Sequence, residues 1–335
     1  MFPDDDMYAL SGWQYVNGQS PDDPLNLAHP PLAKYLIGFS ELIFMNQAMI
    51  GLIVSVLTLI LVYLISKKFI TVFPFALLPS LILSLDKLYV RFSSVSMLDI
   101  YPTFFAALSV FLLLTNKRKW LTPMVYVAIG LAISCKWTAA FLLFLPPLYY
   151  AAMGQRRNLK LFPLYLVITI VTYTSTYIVF LITRSNLLEL LFLQFTMFRI
   201  HQGNRLQMGT PPPFWILLNF LTGIEGPTLI QTIWINPTSA GEGVQNLIIT
   251  TSNPERGLSL VDTYNPLTWP LSFSASILTL YYSLKEDRRI LPVPLAFLVL
   301  LSGVSVGKIF IWYLLPGLPF AFVSLTYMIS RIYSE

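Results

Sequence analysis

Three consecutive carboxylates, Asp4, Asp5 and Asp6, stand at the start of an otherwise apolar chain, in the stretch "MFPDDDMYAL". Carboxylates beside a membrane-embedded cavity can act as a general base or hold a metal, because burial and mutual repulsion shift their protonation. A solvated charge run is the other reading. The segment "HPPLAK" follows with His29 and Lys34, its paired prolines stiffening the backbone because their φ is fixed. In "RFSSVSMLD", Arg91 and Asp99 fall at the ends of two apolar runs. A charge at mid-bilayer costs about 2.5 to 3.5 kcal/mol, so such residues anchor at interfaces or line cavities. "GLAISCKWTAAF" sets Lys136 between two short apolar runs, where a phosphate partner would account for it. "LQFTMFRIHQGNRL", with Glu189 just upstream, places Gln194, Arg199, His201 and Arg205 at near-helical spacing, where a lone histidine is more often structural than catalytic. "DTYNPLTW", with Asn265, and "GKIFIWYLLPGLPF", with Lys308, Trp312 and Tyr313, mark the mouths of late apolar runs, where an interfacial aromatic belt is the alternative reading.

The elements that position these residues must be membrane helices. Of 335 residues 56% are hydrophobic and only 11% charged, against about 25% charged in a soluble domain. Apolar runs near 46–65, 69–86, 99–115, 161–182, 267–284 and 309–330, with shorter ones at 121–136, 138–152 and 290–307, predict an all-α polytopic membrane protein with about nine transmembrane helices. Alternating from Lys67 and Lys68 puts Lys117, Arg118, Lys119, Arg156, Arg157, Lys160, Lys285, Arg288, Arg289 and Arg331 on the same side, together with only three acids, Glu286, Asp287 and Glu335. Short basic loops face the cytoplasm, so the opposite, extracytoplasmic face holds Asp4, Asp5 and Asp6. This distribution accounts for the net charge of +5 without invoking nucleic acid. The single cysteine, Cys135, excludes an intrachain disulfide. Residues 1–30 have neither a basic start nor an apolar core, so an upstream transmembrane helix is expected to precede this chain.

Four regions follow: an acidic extracytoplasmic loop and juxtamembrane helix over 1–45, a transmembrane bundle over 46–182, an extracytoplasmic loop region over 183–266 and C-terminal transmembrane helices over 267–335. Residues 32–45 are amphipathic and either lie along the membrane surface or form the first turns of a longer helix. Within 183–266, turn signals flank "LIQTIWI" and "NLIITT", which read as short strands in a small outer layer. A loop this long is usually functional.

In order and spacing, "DDDMY", "HPPLAK", "RFSSVSMLD", "GLAISCKWTAA", "QFTMFRIH", "NPLTWP" and "WYLLPGLPF" resemble the motifs of the protein O-mannosyltransferase family, glycosyltransferase family 39, among the C-type membrane glycosyltransferases. The resemblance runs from residue 4 to about residue 320. Here Asp replaces the family's Glu, Trp312 stands where the family has a terminal His, and Lys308 represents an upstream Arg. The 183–266 region is too short for the β-trefoil of eukaryotic members.

The resemblance implies a C-type glycosyltransferase helical bundle that takes mannose, or a similar hexose, from a dolichyl or polyprenyl phosphate donor in the outer leaflet. The sugar passes to Ser or Thr hydroxyls of translocated proteins, with inversion. On this reading a carboxylate among Asp4, Asp5 and Asp6 is the general base, with Asp4 and Asp5 favoured by their spacing to Tyr8. Arg91 and Lys136 hold the phosphate, helped by His201 and Lys308. His29, Lys34, Asp99, Arg199, Asn265 and Tyr313 support them, with Asp99 orienting Arg91. The implied partners are the lipid-phosphate donor, a protein or peptide acceptor, membrane lipid and a possible second copy, with no cofactor and no metal. The site lies on the extracytoplasmic side of the plasma membrane. A lipid-linked or other glycan acceptor, or an inactive truncated homologue, is the alternative. A transporter fits least, because the charges cluster on one face rather than along a path through the midplane.

Overall fold

The computed structural model describes residues 3–22, 27–116, 121–184, 186–207, 215–225, 231–235, 247–251, 259–260, 262–304 and 311–334. The chain begins with two helices, α1 (Pro3–Val16) and α2 (Leu32–Phe44), packed against each other. They cross where Gly12 meets Gly38: a Cβ on Gly12 would lie 2.7 Å from the Gly38 amide nitrogen, so only paired glycines let the backbones approach this closely. Helix α2 ends at Met45, whose φ of 50° is left-handed. The next helix starts at Met49, so residues 32–45 form a separate helix rather than the start of a longer one.

The bundle follows: α3 (Met49–Ser66), α4 (Phe73–Leu85), α5 (Lys87–Ser93), α6 (Ile100–Thr115), α7 (Leu121–Cys135), a 3₁₀ stretch (Trp137–Phe144), α8 (Leu145–Ala152), α9 (Arg156–Lys160), α10 (Phe162–Ser175) and α11 (Ile178–Arg184). After α12 (Leu187–Gln207) and α13 (Trp215–Thr222), the chain ends with α14 (Thr268–Lys285), α15 (Pro292–Val304) and α16 (Leu318–Ser334). Helix α6 packs on α3 and α7, α16 packs on α4 and α14, and α15 packs on the 3₁₀ stretch. One core cluster runs through them from Tyr8 to Val323. A second, smaller one joins Tyr177 and Phe180 to Leu190, Leu193 and Met197 of α12.

Among the described residues, α3 alone is a single helix long and apolar enough to cross a membrane. Two further runs pass that test only as pairs bent by 66° (α4 and α5) and 69° (α10 and α11). Helices α6 and α7 and the Trp137–Ala152 segment are apolar but shorter. The break between α4 and α5 falls at Asp86, the last residue of the run 69–86, whereas that between α10 and α11 lies inside the run 161–182, expected as a single span. At the first break the Asp86 carboxylate accepts the N–H groups of Leu88 and Tyr89 and starts a new helix in a new direction.

The 183–266 region opens with the 21 residues of α12. It also carries two antiparallel strand pairs: β1 (Ile224–Glu225) with β4 (Ser259–Leu260), and β2 (Gln231–Ile235) with β3 (Leu247–Thr251). The inner pair coincides with the two segments expected as strands, Ile233 facing Ile249.

Candidate active site

Helix α1 turns its three acids to different surroundings. Asp5 is buried, and its Oδ1 accepts the backbone N–H of Ser96 at 2.5 Å, tying α1 to the "RFSSVSMLD" segment. Asp4, one residue earlier, is exposed and sits one turn before buried Tyr8, so the two share a helix face. Asp6 is exposed on another face and lines an open recess of about 350 Å³ with Trp13 and Glu41.

Two bundle helices supply the charges that face Asp4 and Tyr8. Asp99 immediately precedes α6, and Lys136 follows α7 in an extended conformation before the 3₁₀ stretch. The Lys136 ammonium lies 2.6 Å from Asp99 Oδ1 and 3.9 Å from the centroid of the Tyr313 ring. Both members of this ion pair are buried. The second carboxylate oxygen of Asp99, also buried, has no partner among the described residues. Burial, then the charges of Asp4, Tyr313 and Asp99, push the Tyr8 phenol well above its ordinary value, so it stays a neutral donor. The charge of Asp4 reaches Lys136 and Asp99 as well. Asp4, Tyr8, Asp99, Lys136 and Tyr313 therefore form one electrostatic cluster.

An aromatic and polar chain extends it. The His29 ring lies 5.9 Å from Tyr8 and 5.2 Å from His201, and His201 lies 5.7 Å from Trp137. His201 Nε2 is 2.5 Å from the Ala28 carbonyl, so this nitrogen carries the proton and donates. Trp137 Nε1 donates to the Tyr173 hydroxyl at 2.9 Å, and Tyr173 donates to Gln194 Oε1. Lys34 is fully buried: its ammonium donates to the His29 carbonyl at 3.0 Å and stands 5.6 Å from the Tyr15 ring. Burial holds it down to about 7. Among the described residues, no three His, Cys, Asp or Glu side chains converge as a metal-binding set.

Other expected site residues lie elsewhere. Arg91 pairs with Asp262 at 2.7 Å in an exposed contact, so Asp99 does not orient it; Asp99 pairs with Lys136 instead. The physical reason is burial: a carboxylate enclosed at the head of α6 needs a cation enclosed with it. Arg199 is exposed on α12. Asn265 Oδ1 accepts the N–H groups of Leu267 and Thr268 and so helps to start α14. Lys308 lies outside the described residues. Sequence reasoning missed Asp86, a buried carboxylate that also accepts the Trp269 indole N–H at 2.8 Å. Its only signal was an acid ending an apolar run in "LILSLDKLYV".

Residues 28–184 match the family model described as dolichyl-phosphate-mannose-protein mannosyltransferase. This match supports the family resemblance carried by the motifs. No curated protein matches the chain. Among solved structures, the chain is similar to ArnT from Cupriavidus metallidurans bound to undecaprenyl phosphate, with a TM-score of 0.65 and 13% identity over 98% of this chain and 56% of that one. The apo state of the same protein gives a TM-score of 0.60 and 12% identity over 98% and 55%. At such identity the likeness is one of fold, the C-type glycosyltransferase fold, and the chain spans little more than half the length of the solved structures.

Proposed function

From a chain that carries the C-type glycosyltransferase fold and, over residues 28–184, the match to a mannosyltransferase family, we infer a membrane glycosyltransferase that takes its sugar from a polyprenyl phosphate carrier. The more specific reading is transfer of mannose, or a similar hexose, from a dolichyl or polyprenyl phosphate to Ser or Thr hydroxyls of translocated proteins. The observation that carries it is the placement of exposed Asp4 within the field of the buried Lys136–Asp99 pair. A base and a fixed cation thereby share one cluster. The ArnT structure bound to undecaprenyl phosphate adds that this fold accommodates a polyprenyl phosphate.

In this mechanism the acceptor oxygen attacks the anomeric carbon as its bond to the phosphate oxygen breaks, inverting the centre. The hydroxyl proton passes to Asp4, whose carboxylate makes no hydrogen bond among the described residues. Asp5 holds α1 in place through Ser96. The bonding electrons leave with the lipid phosphate, and Lys136 stabilises that growing charge, because a fixed cation in a water-poor cavity interacts strongly with it. Asp99 keeps Lys136 oriented. Tyr8 and Tyr313 stand beside this cluster as protonated donors.

Purified full-length protein, given dolichyl phosphate carrying labelled mannose together with a Ser/Thr-rich peptide and a lipid-linked glycan, tests this. Label in the peptide supports the protein acceptor, and label in the glycan alone selects the other acceptor. Label in neither overturns the activity.

A further inference from the structure

At the other end of α10 from Tyr173, a recess of about 470 Å³ opens among Arg156, Arg157, Asn158, Thr122, Leu161 and Tyr165. That volume is within the roughly 300–1,000 Å³ of ligand sites. From Phe162 to Tyr173 the helix rises roughly 17 Å, so this recess is not part of the cluster around Asp4. Its walls are defined: Tyr165 stacks on Tyr126 at 4.8 Å, Thr122 is buried, and Asn158 Nδ2 donates to Gln155 Oε1 at 2.8 Å.

Arg156 and Arg157, like Arg199 on α12, have no carboxylate partner among the described residues, and they alone of these line a recess. Arg91, Arg184, Arg289 and Arg331 each pair with a carboxylate, and Arg288 donates to the Ala152 carbonyl. Among the described residues, the side chains of Arg156, Arg157 and Lys160 have no hydrogen-bond or ion-pair partner. Two forked guanidinium groups at one opening, with amide and hydroxyl donors beside them, match the oxygens of a phosphate group. Directly beyond the recess, α10 presents Leu164, Val167, Ile170 and Val171, all exposed. Leu164, Val167 and Val171 repeat at helical spacing and continue from Leu161 in the recess wall. A basic recess opening onto an apolar stripe has the polarity of a phospholipid.

We propose that this recess binds the phosphate headgroup of an anionic membrane phospholipid, Arg156 and Arg157 holding the phosphate while an acyl chain lies along the Leu164–Val171 face of α10. By the charge distribution the site faces the cytoplasmic leaflet, where anionic lipids attract basic groups. Occupancy would pin α9 and the start of α10 to the bilayer.

The test is lipid retention by purified full-length protein, measured by native mass spectrometry after exchange into detergent. The probes are phosphatidylglycerol, phosphatidylcholine and inorganic phosphate. Phosphatidylglycerol is expected to be retained in clear preference to phosphatidylcholine. The double variant Arg156→Gln/Arg157→Gln should lose affinity by about thirtyfold, the effect of two basic groups at a lipid surface. Thermal unfolding of the variant without added lipid, unchanged from the parent, confirms that the fold is intact. Should the variant unfold early, the single changes Arg156→Lys and Arg157→Lys take its place and are expected to weaken retention less. Equal retention of both lipids, an undiminished preference in the variants, or displacement of phosphatidylglycerol by millimolar inorganic phosphate would overturn the proposal.

Discussion

The buried Lys136–Asp99 pair lends itself to a perturbation that separates folding from catalysis. At 2.6 Å and an effective dielectric near 20, the two charges attract by about 6 kcal/mol before desolvation. Enclosing each ion costs several kcal/mol, so the net value of the pair is small. Removing one member is a different matter, because the other charge stays buried without compensation. Asp99→Asn, or Lys136→Met, should therefore cost about 3–5 kcal/mol. The double change Asp99→Leu/Lys136→Met removes both charges and should restore most of that stability, within about 1–2 kcal/mol of the parent. Chemical denaturation in micelles, followed by tryptophan fluorescence, gives the ranking. Transfer activity should be lost in all three proteins, including the stable double variant, because the phosphate then lacks its cation. Single variants as stable as the parent would refute the buried pair. A double variant that still transfers sugar at a near-normal rate would refute the role of Lys136.

Three further perturbations test the surroundings of the site. Lys34 is held down to about 7 from an ordinary 10.5. Between those values the unfolded chain binds the proton and the folded one does not, so stability rises with pH across the window and the cost is greatest near its lower end. Lys34→Met should thus raise the unfolding temperature more at pH 7 than at pH 10, and an equal shift at both would contradict the lowered proton affinity of this buried amine. Gly12→Leu drives a side chain into the Gly38 backbone; it should undock α1 and abolish transfer, with faster amide exchange confined to α1 and α2, whereas unchanged exchange would refute the close crossing. Asp86→Ala removes a helix cap and the acceptor of the Trp269 indole. It should cost about 2–4 kcal/mol and shift the fluorescence of Trp269, a loss measurable by denaturation and absent if the cap is unimportant.

Apolar runs and strand segments were legible in the sequence because their signals are local. The run 46–65 is α3, and "LIQTIWI" and "NLIITT" carry the β-branched residues that pair as β2 and β3. Bends between helices were harder to see. Nothing in composition distinguishes Asp86 as a cap from an ordinary interfacial acid, and only the direction taken by α5 decides it. Pairings across the chain were not legible at all. Asp99 and Lys136 were both singled out, yet Asp99 was assigned to Arg91, which meets Asp262, 171 residues later. A one-dimensional reading ranks partners by proximity in the chain, whereas in the fold burial selects them: the enclosed carboxylate took the enclosed cation, and the exposed arginine took an exposed acid. The three acids at the start were recognised as a group. Their division, with Asp4 facing the charged cluster, Asp5 fixed to Ser96 and Asp6 turned away, required the docking of α1 on α2.

That division makes the central claim directly measurable. The initial rate of labelled mannose transfer from dolichyl phosphate to a Ser/Thr-rich peptide would be compared for Asp4→Asn, Asp5→Asn and Asp6→Asn in the full-length protein, with donor binding measured alongside. The account predicts that Asp4→Asn lowers turnover by about two to four orders of magnitude, the usual contribution of a general base, while donor binding hardly changes. Asp5→Asn should lose less, through loosened docking of α1, and Asp6→Asn should stay near the parent rate. Near-normal turnover in Asp4→Asn, with Asp6→Asn or neither variant impaired, would contradict it.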